Sequence, residues 1–190
     1  MKKSLFLFLF LILLINFTYA ATYYIDYSTG NDANLGTSTS APWKLAPGMN
    51  GFTRSYTHQA GDRFIFKGGV TWPSEAFPFN VGYSGSASNW DYYGVDQSWF
   101  NGASFTKPVF DAGYATSIQN IMSFPSVRQY VVVDGIEFMR LYQAGNGVWG
   151  SGSIQLIAST NILIKNCYVH AWQADPSATD DDAHGGIIGI

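Results

Sequence analysis

The sequence predicts an all-β chain wound as a solenoid, a parallel β-helix with three short strands to a coil. Two stretches carry that prediction. Val131-Val132-Val133-Asp134-Gly135-Ile136-Glu137-Phe138 and Ile162-Leu163-Ile164-Lys165-Asn166-Cys167-Tyr168-Val169 share one pattern: three β-formers, a residue that tolerates positive φ, then resumed alternation. Strand side chains alternate with period two, so Val131 and Val133 share a face. Unbroken alternation would carry that face to Gly135 and Glu137, yet the apolar residues are Ile136 and Phe138. The inward face slips by one at Gly135. It slips again at Asn166, after which Cys167 and Val169 are inward. Gly and Asn enter the left-handed region most easily, so both copies can bend there and keep one interior. A third observation argues against long helices: no segment holds a 3.6-residue apolar period over several turns.

The first 20 residues read as a signal peptide. Lys2 and Lys3 precede an apolar run from Leu5 to Ile15, and Thr18-Tyr19-Ala20 puts small residues at the −3 and −1 sites. Cleavage is expected before Ala21. The apolar run is about half the roughly 20 residues a membrane span needs. Residues 21–190 are then one exported domain without a transmembrane segment. Losing two lysines and no acid takes the net charge from −3 to about −5. A mildly acidic chain lacks the clustered Lys and Arg that nucleic-acid binding uses, so no nucleic-acid partner is expected. Cys167 is the only cysteine, which excludes an internal disulfide. It occupies the inward slot of Ile136 and reads as a small buried hydrophobe.

Along the mature chain, Thr22 to Asp26 forms a first strand, and the Ser28–Ser40 stretch of Gly, Asn, Asp, Ser and Thr is loop. Ala41 to Leu45 begins a segment expected to hold a short helix or turn before Pro47-Gly48, and Asn50-Gly51, Asn101-Gly102 and Asn146-Gly147 signal turns. Phe64 to Gly68 and Pro108 to Ala112 match the first half of the repeat, and Trp90 to Gly94 does so more loosely. Ser153 to Ile157 adds a strand between the two best copies. Short strands returning every 20–30 residues or so fit a parallel β-helix. A β-sandwich competes, since it too has short strands at regular spacing. The chain stops within a new apolar strand, Gly185 to Ile190, with no polar cap after it. Residues 21–190 are therefore expected to be an N-terminal cap and first several coils, incomplete at the C-terminus.

Tyr23-Tyr24-Ile25-Asp26, Gly30-Asn31-Asp32, Asn34-Leu35-Gly36-Thr37-Ser38 and Ala41-Pro42-Trp43 resemble the opening of secreted bacterial right-handed parallel β-helix proteins of the pectate lyase-like superfamily. Gly61 to Gly69 resembles the first-coil motif of that group, and the two repeats resemble its coils. Asn166 matches a position where asparagines stack as an internal ladder. The resemblance implies a polysaccharide partner and an exported polysaccharide-active enzyme, a lyase on acidic glycans or a glycoside hydrolase. The same fold also carries non-catalytic surface, adhesion or glycan-binding modules, and fold alone does not choose.

Candidate site residues follow from chemistry and from that resemblance. Lys165 lies between inward Ile164 and the bend, so it points outward, where the resemblance implies a basic residue that abstracts a proton or binds an acidic sugar. A solvated surface lysine is the plainer alternative. Asp180, Asp181 and Asp182 form the densest acidic cluster and are candidate Ca²⁺ ligands, since calcium takes several carboxylate oxygens. Trp149 and Trp172 flank the two repeats in loops and are candidates for stacking on sugar rings. Trp72, Trp90, Trp99 and Tyr142 are aromatics of the same kind, although packing is the commoner role for such rings. Asp134 and Glu137 are carboxylates available to glycoside hydrolysis, with no pairing assigned.

Overall fold

The structure, a computed structural model, describes residues 19–143, 151–174 and 185–189. In chain order the strands are β1 (Thr22–Ile25), β2 (Arg63–Phe66), β3 (Thr71–Trp72), β4 (Phe79–Asn80), β5 (Asp91–Gly94), β6 (Val109–Asp111), β7 (Asn120–Phe124), β8 (Gln129–Asp134), β9 (Glu137–Met139), β10 (Tyr142–Gln143), β11 (Gly152–Leu156), β12 (Thr160–Lys165), β13 (Tyr168–His170), β14 (Gln173–Ala174) and β15 (Gly185–Gly189). Among the described residues the only helical segments are two 3₁₀ turns, Ser74–Ala76 and Gln97–Trp99.

Among the described residues every strand pair is parallel. The strands form three main sheets with the orders β1-β2-β5-β8-β12, β3-β6-β9-β13 and β4-β7-β11-β15, plus a small β10-β14 pair. The chain visits the three sheets in the same cyclic order: β2, β3, β4, then β5, β6, β7, then β8, β9, β11, then β12, β13, β15. This order is consistent with a β-solenoid. It rules out the competing sandwich, which is built on antiparallel sheets.

The phase slip is present in the backbone. Gly135 has φ +76° and Asn166 φ +53°. Around the first bend Val131, Val133, Ile136 and Phe138 are all fully buried. Leu163 lies beside Val132 and Lys165 beside Asp134, so the two copies stack in register. A methyl group on Gly135 would lie 2.8 Å from Val95 Cγ2, so both the backbone angle and the neighbour require glycine there.

The interior is aromatic at its beginning and aliphatic further on. Tyr23 stacks on Trp43 at 4.4 Å, Phe64 on Tyr93 at 4.8 Å, and Phe110 meets Phe66 and Phe138 edge-on. Offset and edge-to-face rings fill the interior between the short strands of each coil. Later coils pack Val131, Val133, Ile136 and Ile154, with Ile162, Ile164 and Val169 half-buried against them.

Three sequence expectations need correction. The segment Pro108 to Ala112 belongs to the second half of the coil, because β6 pairs with β9 and sets Phe110 on Phe138. Its apolar alternation is the same in both halves, and only the sheet it joins distinguishes them. Trp72 lies in β3 and is fully buried, so it packs the core and offers no ring to a sugar. Asn166 is exposed and donates from Nδ2 to Asp134 Oδ1 at 2.9 Å, so it forms no internal ladder. Cys167 packs against the core in partly buried form, and burial raises its thiol pKa. Segment 41–45 contributes bends and an isolated bridge from Trp43 to Ile25. Residues 1–18 of the expected signal peptide and the Asn146-Gly147 turn lie outside the described residues.

Candidate functional site

The outer face of the five-stranded sheet presents two rows of side chains. One row runs Arg63, Tyr92, Val132, Leu163, and the other includes Ile65, Gly94 and, on the neighbouring strands, Asp134 and Lys165. Glycine at position 94 is required by its neighbour in the chain. A methyl group there would come within 2.7 Å of Tyr92 Cζ and Oη and of the Asp134 carbonyl oxygen. The Tyr92 ring therefore lies over Gly94 and reaches along the sheet to the next coil. Its hydroxyl lies 3.1 Å from Asp134 Oδ2 and 3.2 Å from the Val95 carbonyl, two acceptors for one proton. Burial, then the Asp134 carboxylate, push the Tyr92 phenol up to about 12, so it remains a donor at neutral pH. The Arg63 guanidinium sits 4.1 Å above the same ring, a cation–π contact that fixes its plane.

The long connection from β5 to β6 forms the opposite wall. Phe100 and Phe105 meet edge-on at 5.6 Å, and Gly69 N donates to the Thr106 and Lys107 carbonyls. That anchoring carries Lys107 to the bend of the later coil, where Nζ donates to the Asn166 carbonyl at 2.7 Å. Between the walls is an open cavity of about 440 Å³, lined by Tyr92, Val95, Gln97, Phe105, Lys107, Asp134, Gly135 and Asn166. Lys165 does not line it but pairs with Asp134, its Nζ 3.4 Å from Oδ2 and nearly half its side chain exposed. The site thus combines two ammonium groups, one carboxylate, two amides and two aromatic rings. Such a set can hold a carboxylate and hydroxyls while an apolar ring face covers C–H surface.

A larger open hollow of about 530 Å³ lies over Asn31, Asp32, Lys44 and Arg54. Its single carboxylate is taken up by backbone: Asp32 Oδ1 accepts from Lys44 N and Leu45 N. The Asp134 cleft is the better candidate because it adds the Tyr92 and Phe105 rings to its charged groups, and the larger hollow has no aromatic lining.

Of the residues singled out in sequence, Lys165 and Asp134 come together at the cleft, and Lys165 points outward as expected. Glu137 lies on the neighbouring sheet, where its Oε1 is 2.8 Å from His170 Nε2, and Tyr168 stacks on that imidazole at 4.2 Å. Trp172 is about half exposed but does not line the cleft. Trp90 is partly exposed against Tyr130, and Trp99 packs edge-on against Tyr24. Trp149 and the Ca²⁺ candidates Asp180, Asp181 and Asp182 lie outside the described residues. Among the described residues no three His, Cys, Asp or Glu side chains gather as metal ligands. Sequence analysis missed Tyr92, Lys107 and Gln97. The one available signal was Gly94 two residues after Tyr92, a gap on the same strand face into which the ring could fold.

No protein-family model matches the chain, and no curated protein matches it. Among solved structures, the chain is similar to the GH136 lacto-N-biosidase from Eubacterium ramulus, with a TM-score of 0.49 and 17% sequence identity. The likeness covers 76% of this chain and 27% of that one, so the chain spans little more than a quarter of that protein's length.

Proposed function

We propose that the protein is an exported, right-handed parallel β-helix protein that takes an acidic polysaccharide into the cleft beside Asp134. The observation that carries this reading is a cavity lined by Lys107, Asp134 and the Tyr92 and Phe105 rings, with Lys165 paired to Asp134 beside it. Uronate carboxylates would pair with the lysines, and sugar hydroxyls with Asp134, Gln97 and Asn166. Phe105 supplies apolar surface of the kind that sugar C–H groups pack on. Charge-assisted hydrogen bonds of this type are about twice as strong as neutral ones.

Whether the bound glycan is cleaved separates two forms of the reading. An enzyme would be a lyase or a glycoside hydrolase. One observation favours a holding role for Lys165. A general base must present a free pair, whereas this lysine stands in an ion pair with Asp134. Titration calorimetry with polygalacturonate and with a neutral β-glucan tests binding. Preference for the polyuronate, weakened about tenfold (~1.4 kcal/mol) by Lys165→Ala, is expected. Equal binding of both polymers overturns the acidic-glycan reading, and binding of neither overturns the glycan reading altogether. Unsaturated ends appearing at ultraviolet wavelengths, with and without calcium, identify a lyase. New reducing ends without that absorbance identify a hydrolase, and neither signal with binding intact leaves a non-catalytic module.

A further inference from the structure

Four aspartates of the described chain are buried: Asp26, Asp62, Asp91 and Asp111. Three of them face a basic side chain. Asp26 lies 2.7 Å from Lys67 Nζ, Asp91 lies 2.8 Å from His58 Nε2, and Asp111 pairs with Arg140. Asp62 is fully buried and, among the described residues, has no Lys, Arg or His within ion-pair distance. A buried charge without a counter-charge is costly, so this exception needs a physical account.

The contacts of Asp62 define what is missing. Oδ1 accepts from the backbone N of Ala21 at 2.7 Å, and Oδ2 accepts from Tyr56 Oη at 2.5 Å and Gln59 N at 3.0 Å. All three partners donate, so the Asp62 oxygens act as acceptors in each contact. Burial, then Asp62 itself, raise the Tyr56 phenol well above its ordinary range, which keeps Tyr56 a donor. The shortest backbone partner, Ala21, is the residue before which the leader is expected to be cut. Ala21 is also held from its other side, since its carbonyl accepts from Arg63 N at 2.8 Å. Immediately upstream, Ala20 is exposed and Tyr19 is 81% exposed.

We propose that the counter-ion of Asp62 is the α-ammonium group that leader removal creates at Ala21. Water adds across the Ala20–Ala21 peptide bond: its hydroxyl goes to the Ala20 carbonyl carbon and a hydrogen to Ala21 N. The freed amine takes a proton at neutral pH. Its nitrogen already lies 2.7 Å from Asp62 Oδ1, so the neutral amide hydrogen bond becomes an ion pair without any movement of the cap. Processing thereby completes the electrostatics of the first coil. The mature terminus locks β1 to the turn before β2.

This inference rests on the export reading, and the experiment separates the two. The full chain is expressed with its leader in an exporting host and the secreted product is sequenced from its N-terminus. A first residue other than Ala21 overturns the export site and the inference with it. With Ala21 first, an amine-acetylating reagent is applied near neutral pH to folded and urea-unfolded protein. An ammonium stabilised by a carboxylate offers about tenfold less neutral amine for each unit its pKa rises. Protection of Ala21 in the folded protein is expected, and its loss in Asp62→Asn. Equal reactivity in both states overturns the ion pair and leaves export standing. A form retaining Ala20, in which position 21 is again an amide, is expected to melt about 5 °C lower. An unchanged Tm overturns the proposal, and this arm decides the matter even if Asp62→Asn does not fold.

Discussion

The N-terminal cap and the Asp134 cleft use the same chemical groups in opposite ways. Toward the N-terminus, Asp26, Asp62 and, at the start of β5, Asp91 are fully buried and hydrogen-bonded: Asp26 alone takes Lys67, the Ser28 and Thr29 hydroxyls and two backbone N–H groups. In the cleft, Asp134 is also hydrogen-bonded, by Tyr92 and Asn166, but it stays partly open and its lysine is nearly half exposed. The comparison teaches that a hydrogen-bonded carboxylate closed off from solvent is a fastener. One with the same donors beside an open cavity can still meet a ligand.

The largest effect should come from breaking a fastener. Asp26→Ala strands a partly buried ammonium and four other donors, so it should cost about 3–5 kcal/mol in urea unfolding followed by tryptophan fluorescence. Asp134→Ala, by contrast, should cost no more than about 1–1.5 kcal/mol. A cost as large for Asp134 as for Asp26 would erase the distinction between the two regions.

Acid should act through the cap next. Burial raises the Asp26 pKa, but hydrogen bonds from Lys67, Ser28 and Thr29 outweigh it and bring the group from 3.8 to about 2. The folded chain then holds fewer protons than the unfolded chain between these values. The stability from Asp26 is complete above about pH 4 and disappears as pH falls through about 2. Urea midpoints measured from pH 5 to pH 2 should decline, and the decline should be shallower in Asp26→Asn. An identical slope in the variant would remove Asp26 as its source.

Gly94→Ala sharpens the comparison from the cleft side. The added methyl must displace the Tyr92 ring and its hydroxyl, an overpacking cost of about 1–3 kcal/mol. Polyuronate affinity should fall with it, since Tyr92 no longer orients Asp134. Full affinity in a folded Gly94→Ala protein would take Tyr92 out of the site. The smallest stability change belongs to Lys165→Ala: an exposed ion pair contributes at most about 1 kcal/mol. Its melting temperature should stay within a few degrees of the parent while calorimetry shows the weakened binding.

Much of the coil was legible residue by residue. The slip at Gly135 and Asn166 needs only side-chain periodicity and the positive-φ tolerance of Gly and Asn, both local properties. The outward direction of Lys165 followed from the inward direction of Ile164. The cleft was less legible because its contacts are distant in the chain. Tyr92 and Asp134 are 42 residues apart, and Lys107 and Asn166 are 59 apart. Phe110 was misplaced for the same reason: its strand looks alike in either half of a coil, and only pairing with β9 assigns it.

The sequence by itself therefore determined the alternation, the bends and which residues face inward, because each depends on a few consecutive residues. Tertiary structure decided which coil lies over which, because strand register is set by loop lengths whose conformations no local pattern encodes. Only that stacking set Lys165 beside Asp134, folded Tyr92 over Gly94 and brought the backbone of Ala21 to a buried aspartate 41 residues away.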